Sequence, residues 1–176
     1  MLMEFVQTTW ENDKEYMSIV GDLLECKKLQ KLDDITHHHY TTRLVHSLFV
    51  SYVSYKVAKS MNLDYVSTAR AGLLHDFFLE EREEVVSLGL GSHNVAHPKI
   101  ALKNAEKLTK LNKIEKDIIL KHMFLCTFSL SFPRYQESFI VSMVDKYCAI
   151  SEVSKPSRDW AKDLIERVQA KVTAMA

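Results

Sequence analysis

Glycine and proline are scarce in this chain, with four and three copies among 176 residues. Because these two residues punctuate turns, their scarcity argues against a turn-rich β architecture and favours long helices. No apolar run approaches the roughly 20 residues that a membrane-spanning helix needs. Residues 1–12 also lack the basic start and the apolar stretch of a signal peptide. We therefore expect a cytoplasmic protein without a membrane partner.

The chain also has few cysteines and no formal net charge. The three cysteines, Cys26, Cys126 and Cys148, form no CxxC pair and are predicted to be reduced thiols. Lys plus Arg and Asp plus Glu both number 23, so the formal net charge is zero. A net-basic nucleic-acid binder is not expected, and we predict no duplex nucleic acid among the partners, although local basic patches remain compatible with the composition.

Hydrophobic periodicity predicts an all-α globule of six or seven helices in a single domain, residues 1–176. The segment at about 41–61 is apolar on most sides, which predicts a buried central helix. Residues 79–97 are predicted to form a long loop with at most a short helical turn. The other predicted helices lie at about 13–32, 65–77 (capped by Asp64), 98–110 (begun by Pro98), 113–126 (capped by Asn112), 135–152 and 156–173.

The most informative feature is a set of histidines and aspartates embedded in apolar helices. Burying such a side chain costs a few kcal/mol unless it finds a partner, and neutral imidazole and ionised carboxylate are good ligands for Zn, Fe or Mn. For any one histidine, a bond to a backbone carbonyl is the commoner arrangement. An adjacent His-Asp pair can reach one point only off a helix end or edge, because helical neighbours point about 100° apart. The set is His46, His75, Asp76, His97, His122 and Asp145.

These residues, in the segments HHYTTRLVHS, ARAGLLHDFF, HNVAHPKIAL and IVSMVDKY, resemble the HD-domain metal-dependent phosphohydrolase superfamily, and small bacterial members in particular. The resemblance covers about residues 38–150, and the helices at about 13–32 and 156–173 are expected to pack on that core. It implies an HD-like helical fold with a central metal site. The basic ligands would be His46, His75, Asp76 and Asp145, and the additional ligands of two-metal members would be His97 and His122.

In such a two-metal site the resemblance implies that Asp76 bridges two divalent ions such as Fe or Mn. A metal-bound hydroxide would then attack the phosphorus of a phosphomonoester or phosphodiester, and a nucleotide is one candidate for this small-molecule substrate. A one-metal site in which His97 and His122 act on substrate is the alternative. A homo-oligomer is compatible with the sequence.

Catalytic roles are predicted for Asp76 and Lys146, and substrate contacts for Arg43, Lys146 and His39. Arg43 lies three residues before His46 and therefore on the same helical face. Its guanidinium can fork onto a phosphate, or it can pair with an acid at 33–34 or 80–84. For Lys146 the alternative is a solvated surface position.

Two other functions share the same ligands. Some HD-fold proteins are di-iron oxygenases, and a non-catalytic HD module that binds a nucleotide or a partner protein is a further alternative. His93 lies four residues before His97, as in the HxxxH pattern of zinc-binding helices. However, Pro98 disfavours the α conformation at His97, so the sequence predicts a loop rather than a helix at His93.

Overall fold

The computed structural model describes residues 10–37, 41–127 and 132–152, together with residue 170. This part of the chain is all-α, as predicted, and none of its helices is long and apolar enough to cross a lipid bilayer. A 3-10 helix at Lys31–Asp34 and two paired two-residue strands, Thr36–His37 and Thr41–Thr42, complete it. The α-helices are α1 (Lys14–Leu24), α2 (Lys27–Gln30), α3 (Arg43–Ser60), α4 (Tyr65–Leu74), α5 (Arg82–Ser87), α6 (His93–Leu108), α7 (Lys113–Lys121) and α8 (Gln136–Glu152).

Helix α3 forms the centre of the fold, which confirms the prediction of a buried central helix. Of its 18 residues, 14 are buried, because α4 and α8 pack against it. Helices α3 and α4 approach each other closely at Gly72, where an added Cβ would lie 2.9 Å from the Cα of Ser51. The Ser51 hydroxyl donates to the carbonyl of Ala69 over 2.6 Å. This close approach brings the helices that carry His46 and His75 together.

Two predicted N-caps are confirmed, and the helices that they start end at histidines. Asp64 accepts a hydrogen bond from the N–H of Ser67, and Asn112 accepts one from the N–H of Glu115. Helix α4 ends at Leu74 with His75 as its C-cap, and α7 ends with His122 as its C-cap. Both helices are shorter than predicted, so these imidazoles lie at helix ends rather than within helices.

Helix α6 begins at His93, and the predicted start at Pro98 is wrong. Pro98 lies inside the helix, where it lacks one backbone N–H donor. Tertiary packing outweighs the local preference against helix at His97, because the rings of His93 and His97 both contact Phe78, at centroid distances of 5.8 and 5.1 Å. His93 and His97 therefore share one helix, and α5 supplies the short helical turn expected within residues 79–97.

The N-terminal helical segment packs on the helices that carry the histidines, but it is not one continuous helix as predicted at 13–32. Helix α1 is followed by the separate short helix α2, because residues 25 and 26 interrupt the regular pattern. The Tyr16 hydroxyl donates to Ser51 over 2.8 Å, and Arg70 pairs with Asp22 at 2.9 Å. The helix predicted at 156–173 lies outside the described residues, apart from residue 170.

Candidate metal centre

All six predicted ligands meet at one point in the middle of the fold. Five helices contribute them, and each residue is at most 9% exposed, as their apolar sequence contexts predict. The adjacent pair His75 and Asp76 lies at the end of α4, which is the geometry that lets neighbouring residues face one centre. The others are His46 on α3, His97 on α6, His122 at the end of α7 and Asp145 on α8.

The side chains form two triads that share Asp76. One consists of His46, His75 and Asp76, the other of Asp76, His97 and His122, and within each the candidate ligand atoms lie within 4.8 Å of one another. The two oxygens of Asp76 face different triads. Oδ2 lies 3.8 Å from His75 Nε2, whereas Oδ1 lies 3.3 Å from His97 Nε2 and 3.4 Å from His122 Nε2. The Asp76 carboxylate is therefore shared by both triads.

Asp145 completes the surroundings of the first triad. Its Oδ1 lies 3.0 Å from His46 Nε2 and 3.7 Å from His75 Nε2. A cation near these atoms would have two imidazoles and two carboxylates within reach, a nitrogen and oxygen donor set that suits divalent transition metals. The buried His and Asp groups could thus hold a metal ion.

Backbone carbonyls fix the tautomers of three histidines. Because a carbonyl only accepts hydrogen bonds, the Nδ1 atom facing it must carry the proton, and Nε2 of the neutral ring is left with a lone pair. This arrangement is typical of histidines that bind metal through Nε2. The three bonds run from His75 to Gly72 (2.7 Å), from His97 to His93 (2.8 Å) and from His122 to Ile119 (2.8 Å).

The geometry of the centre calls for positive charge between its ligands. His97 Nε2 and His122 Nε2 lie 2.8 Å apart, a distance at which two lone pairs repel unless a proton or a cation lies between them. His75 Nε2 and Asp76 Oδ1 are buried and have no hydrogen-bond partner among the described residues. Buried polar atoms without a partner are uncommon. A metal ion in each triad would satisfy all four atoms, so the residues present fit such a group.

Electrostatics keeps the carboxylates of the centre ionised. Burial alone would raise the pKa of Asp76, but the nearby imidazoles of His75, His122 and His97 hold it well below its usual value. The pKa of Asp145 is also held well below its usual value, because the neighbouring imidazoles of His46 and His75 outweigh burial. Burial lowers the pKa of His122, which favours the neutral imidazole that a metal needs.

A cavity of about 280 Å³ adjoins both triads and gives a small molecule access to them. Its wall includes Asp76, His97 and His122 from the triads, Asp145 beside the first triad, and Phe78, which follows the His75–Asp76 pair closely in sequence. The lining also carries cations from three different helices: Arg43, Arg82 and Lys146.

Arg43 lines this cavity, as the prediction of a substrate contact requires. Its guanidinium stacks 3.8 Å from the ring centroid of Phe78, and Nη1 donates to the Phe78 carbonyl. No described carboxylate pairs with it within 4.0 Å; Asp33, one alternative partner, instead accepts from Thr42. Burial lowers the pKa of Arg43.

Lys146 also lines the cavity, but its contacts differ from those expected of a phosphate-binding or catalytic group. Its ammonium donates to the carbonyl of His122 (2.8 Å) and to the carbonyl and the hydroxyl of Ser142 (3.1 and 2.9 Å). These three bonds match its three protons. The geometry therefore gives Lys146 a positioning role at the His122 end of α7, and its predicted contact with substrate stays a prediction.

The remaining predicted contact, His39, lies outside the described residues. Sequence reasoning did not include Arg82 and Asn94, and it considered His93 but rejected a shared helix with His97; all three line the cavity from the starts of α5 and α6. Burial and the neighbouring charges of His97 and Arg82 lower the pKa of His93 to about 4. The HxxxH spacing of His93 and His97 was the signal that could have placed both on one helix.

Comparisons with known proteins found no match that bears on this geometry. Models of known protein families, curated proteins and solved structures were all compared with the chain, and none of them matches it. The resemblance to HD-domain phosphohydrolases, and the roles that it implies, therefore remain predictions.

Proposed function

We propose that this protein is a metal-dependent phosphohydrolase that acts on a small phosphate ester. One observation carries the proposal: the two oxygens of the Asp76 carboxylate face two separate pairs of buried histidines. Two metal ions about 3.5–4 Å apart, linked by such a carboxylate, are the arrangement that supports in-line displacement at phosphorus. The proposed mechanism rests on this two-metal chemistry and on the sequence resemblance to HD-domain phosphohydrolases.

Each residue of the metal centre would have a separate role in this reaction. Asp76 would link the ions, His46, His75 and Asp145 would hold one, and His97 and His122 the other. When bound, divalent metal ions lower the pKa of water and neutralise charge that develops on phosphoryl oxygens. Arg43, on the cavity wall, would contact an anionic group of the substrate. The buried position of the triads limits the access of bulk water to the reacting phosphate.

The substrate is a phosphomonoester or a phosphodiester, with a nucleotide as one candidate. Support for an anionic substrate comes from the three cationic side chains in the cavity lining, of which two, Arg43 and Arg82, have no carboxylate within 4.0 Å among the described residues. The cavity is large enough for a small molecule but not for a duplex nucleic acid.

Hydrolysis assays test the proposal. Protein loaded with Mn²⁺, Fe²⁺, Co²⁺ or Ni²⁺ should hydrolyse a chromogenic phosphate ester or a member of a nucleotide panel, and Asp76→Ala should abolish this activity. Arg134→Gln is the matched control, because Arg134 is exposed and lies outside the cavity lining. Activity that persists in Asp76→Ala would rule the mechanism out. Equal rates with and without O₂ are expected; a requirement for O₂ would favour the oxygenase.

A further inference from the structure

One wall of the cavity is built from residues that the metal centre does not use. Arg43 begins α3, Arg82 begins α5, and His93 and Asn94 form the first turn of α6. We call these four residues the anion wall. They come from three separate helices and converge on the cavity that adjoins the triads.

Arg43 lacks a counter-charge in its buried position. It is 6% exposed, its Nε has no hydrogen-bond partner among the described residues, and it forms no ion pair within 4.0 Å. Asp76, Glu80 and Glu81 act on it only from a longer range. Because a buried charge is costly unless it is paired, an anionic group in the cavity would stabilise this guanidinium.

The start of α6 adds a second feature that favours an anion. This helix has 16 residues, and the side chain of its N-cap, Ser92, makes no capping hydrogen bond. The N–H groups in the first turn of a helix have no intrahelical partners, and together with the helix dipole they attract negative charge. The Nδ1 atom of His93 is likewise buried without a partner among the described residues.

The three cations of the cavity lining outnumber its two carboxylates, and divalent ions in the triads would raise the positive charge beyond what a single phosphate neutralises. The lining carries Arg43, Arg82 and Lys146, while of its two carboxylates Asp76 belongs to both triads and Asp145 lies beside the first triad. The bonds of Lys146 go to carbonyl and hydroxyl oxygens, which do not neutralise its ammonium. Each divalent ion added to the triads increases the positive charge further.

We propose that the anion wall binds a second anionic group of the substrate, either a phosphate or a carboxylate. The substrate would then carry one phosphoryl group at the metal ions and another anionic group a short distance away, as in a phosphoanhydride or a phosphorylated carboxylic acid. This inference rests on the proposed function, because it places the reacting phosphate at the triads.

Binding of phosphonates that cannot be hydrolysed tests the inference by isothermal titration calorimetry on Mn²⁺-loaded protein. Methylphosphonate carries one anionic group, methylenediphosphonate adds a second phosphonate, and phosphonoacetate adds a carboxylate. The wild type is expected to bind at least one of the two longer compounds about tenfold more tightly than methylphosphonate. Which of them gains shows whether the second group is a phosphate or a carboxylate.

Variants separate the anion wall from chelation by the metal ions. Arg82→Gln replaces an exposed side chain, so folding should be unaffected, and it should remove most of the tenfold preference while changing methylphosphonate binding by less than about twofold. Arg43→Gln should act in the same direction. Arg134→Gln, on the surface outside the cavity, should leave every affinity unchanged.

An unchanged preference in both Arg82→Gln and Arg43→Gln would overturn the inference, as would a wild type that binds the three compounds equally. Either result would leave the proposed hydrolysis intact. Conversely, a wall-dependent preference in a protein that hydrolyses no phosphate ester would support the anion wall and contradict the proposed function.

Discussion

The close approach of α3 and α4 at Gly72 allows a quantitative test of how the fold holds the metal centre. In Gly72→Ala, the new Cβ would lie 2.9 Å from Ser51 Cα and 3.4 Å from Ser51 N, and these are backbone atoms that cannot rotate away. Overpacking of this kind costs about 1–3 kcal/mol, while alanine gains up to about 1 kcal/mol over glycine in a helix. The net expectation is a loss of about 1–2 kcal/mol in the free energy of unfolding.

Gly21→Ala is a matched control, because Gly21 also lies within a helix but an added Cβ there meets no atom within 4 Å. The same chemical change should therefore stabilise the protein, by up to about 1 kcal/mol. Urea titrations followed by circular dichroism measure both values. Gly72 also supplies the carbonyl that orients His75, so Gly72→Ala should weaken metal binding as well. A Gly72→Ala variant at least as stable as the wild type would refute the reasoning.

Three further predictions concern bonds and charges around the same core. Lys146→Met removes the donors to His122 and Ser142 and should lower the free energy of unfolding by about 1–3 kcal/mol in a urea titration; a residue that only contacts substrate would leave stability unchanged. Burial raises the pKa of the Tyr16 hydroxyl, so the wild type should lose stability as pH rises above about 10. In thermal melts, Tyr16→Phe should lose less stability than the wild type between about pH 9 and about pH 12. Bound metal should dissociate as pH falls from about 7 to about 5 in equilibrium dialysis, because protons compete with metal for the histidine nitrogens while Asp76 and Asp145, whose pKa values are lowered, stay ionised. Retention of metal at the lower pH would contradict histidine ligation.

Much of the metal centre could be predicted from sequence because burial leaves a local trace. A histidine or an aspartate flanked by aliphatic residues on a helix must enter the core, as His46 and Asp145 do. Several such groups buried in the core of a small domain are therefore expected to lie close together. The helix before Asp76 ends earlier than the predicted residue 77, although the angle of about 100° between helical neighbours already indicated that His75 and Asp76 lie off a helix end or edge.

Features that depend on tertiary partners could not be predicted in this way. Two of the three hydrogen bonds of Lys146 go to Ser142, one helical turn before it, but nothing near Lys146 in sequence indicates that the carbonyl of His122 will accept the third. Likewise, the local preference at Pro98 argues for a break, and only the packing of His93 and His97 against Phe78 explains the continuous helix.

Elemental analysis of protein purified without chelator tests the central claim most directly. The shared carboxylate predicts about two equivalents of divalent metal per chain in the wild type, about one in His97→Ala and close to none in Asp76→Ala. A wild type that binds no metal even after reconstitution, or equal stoichiometry in the two variants, would contradict a centre in which Asp76 serves both triads.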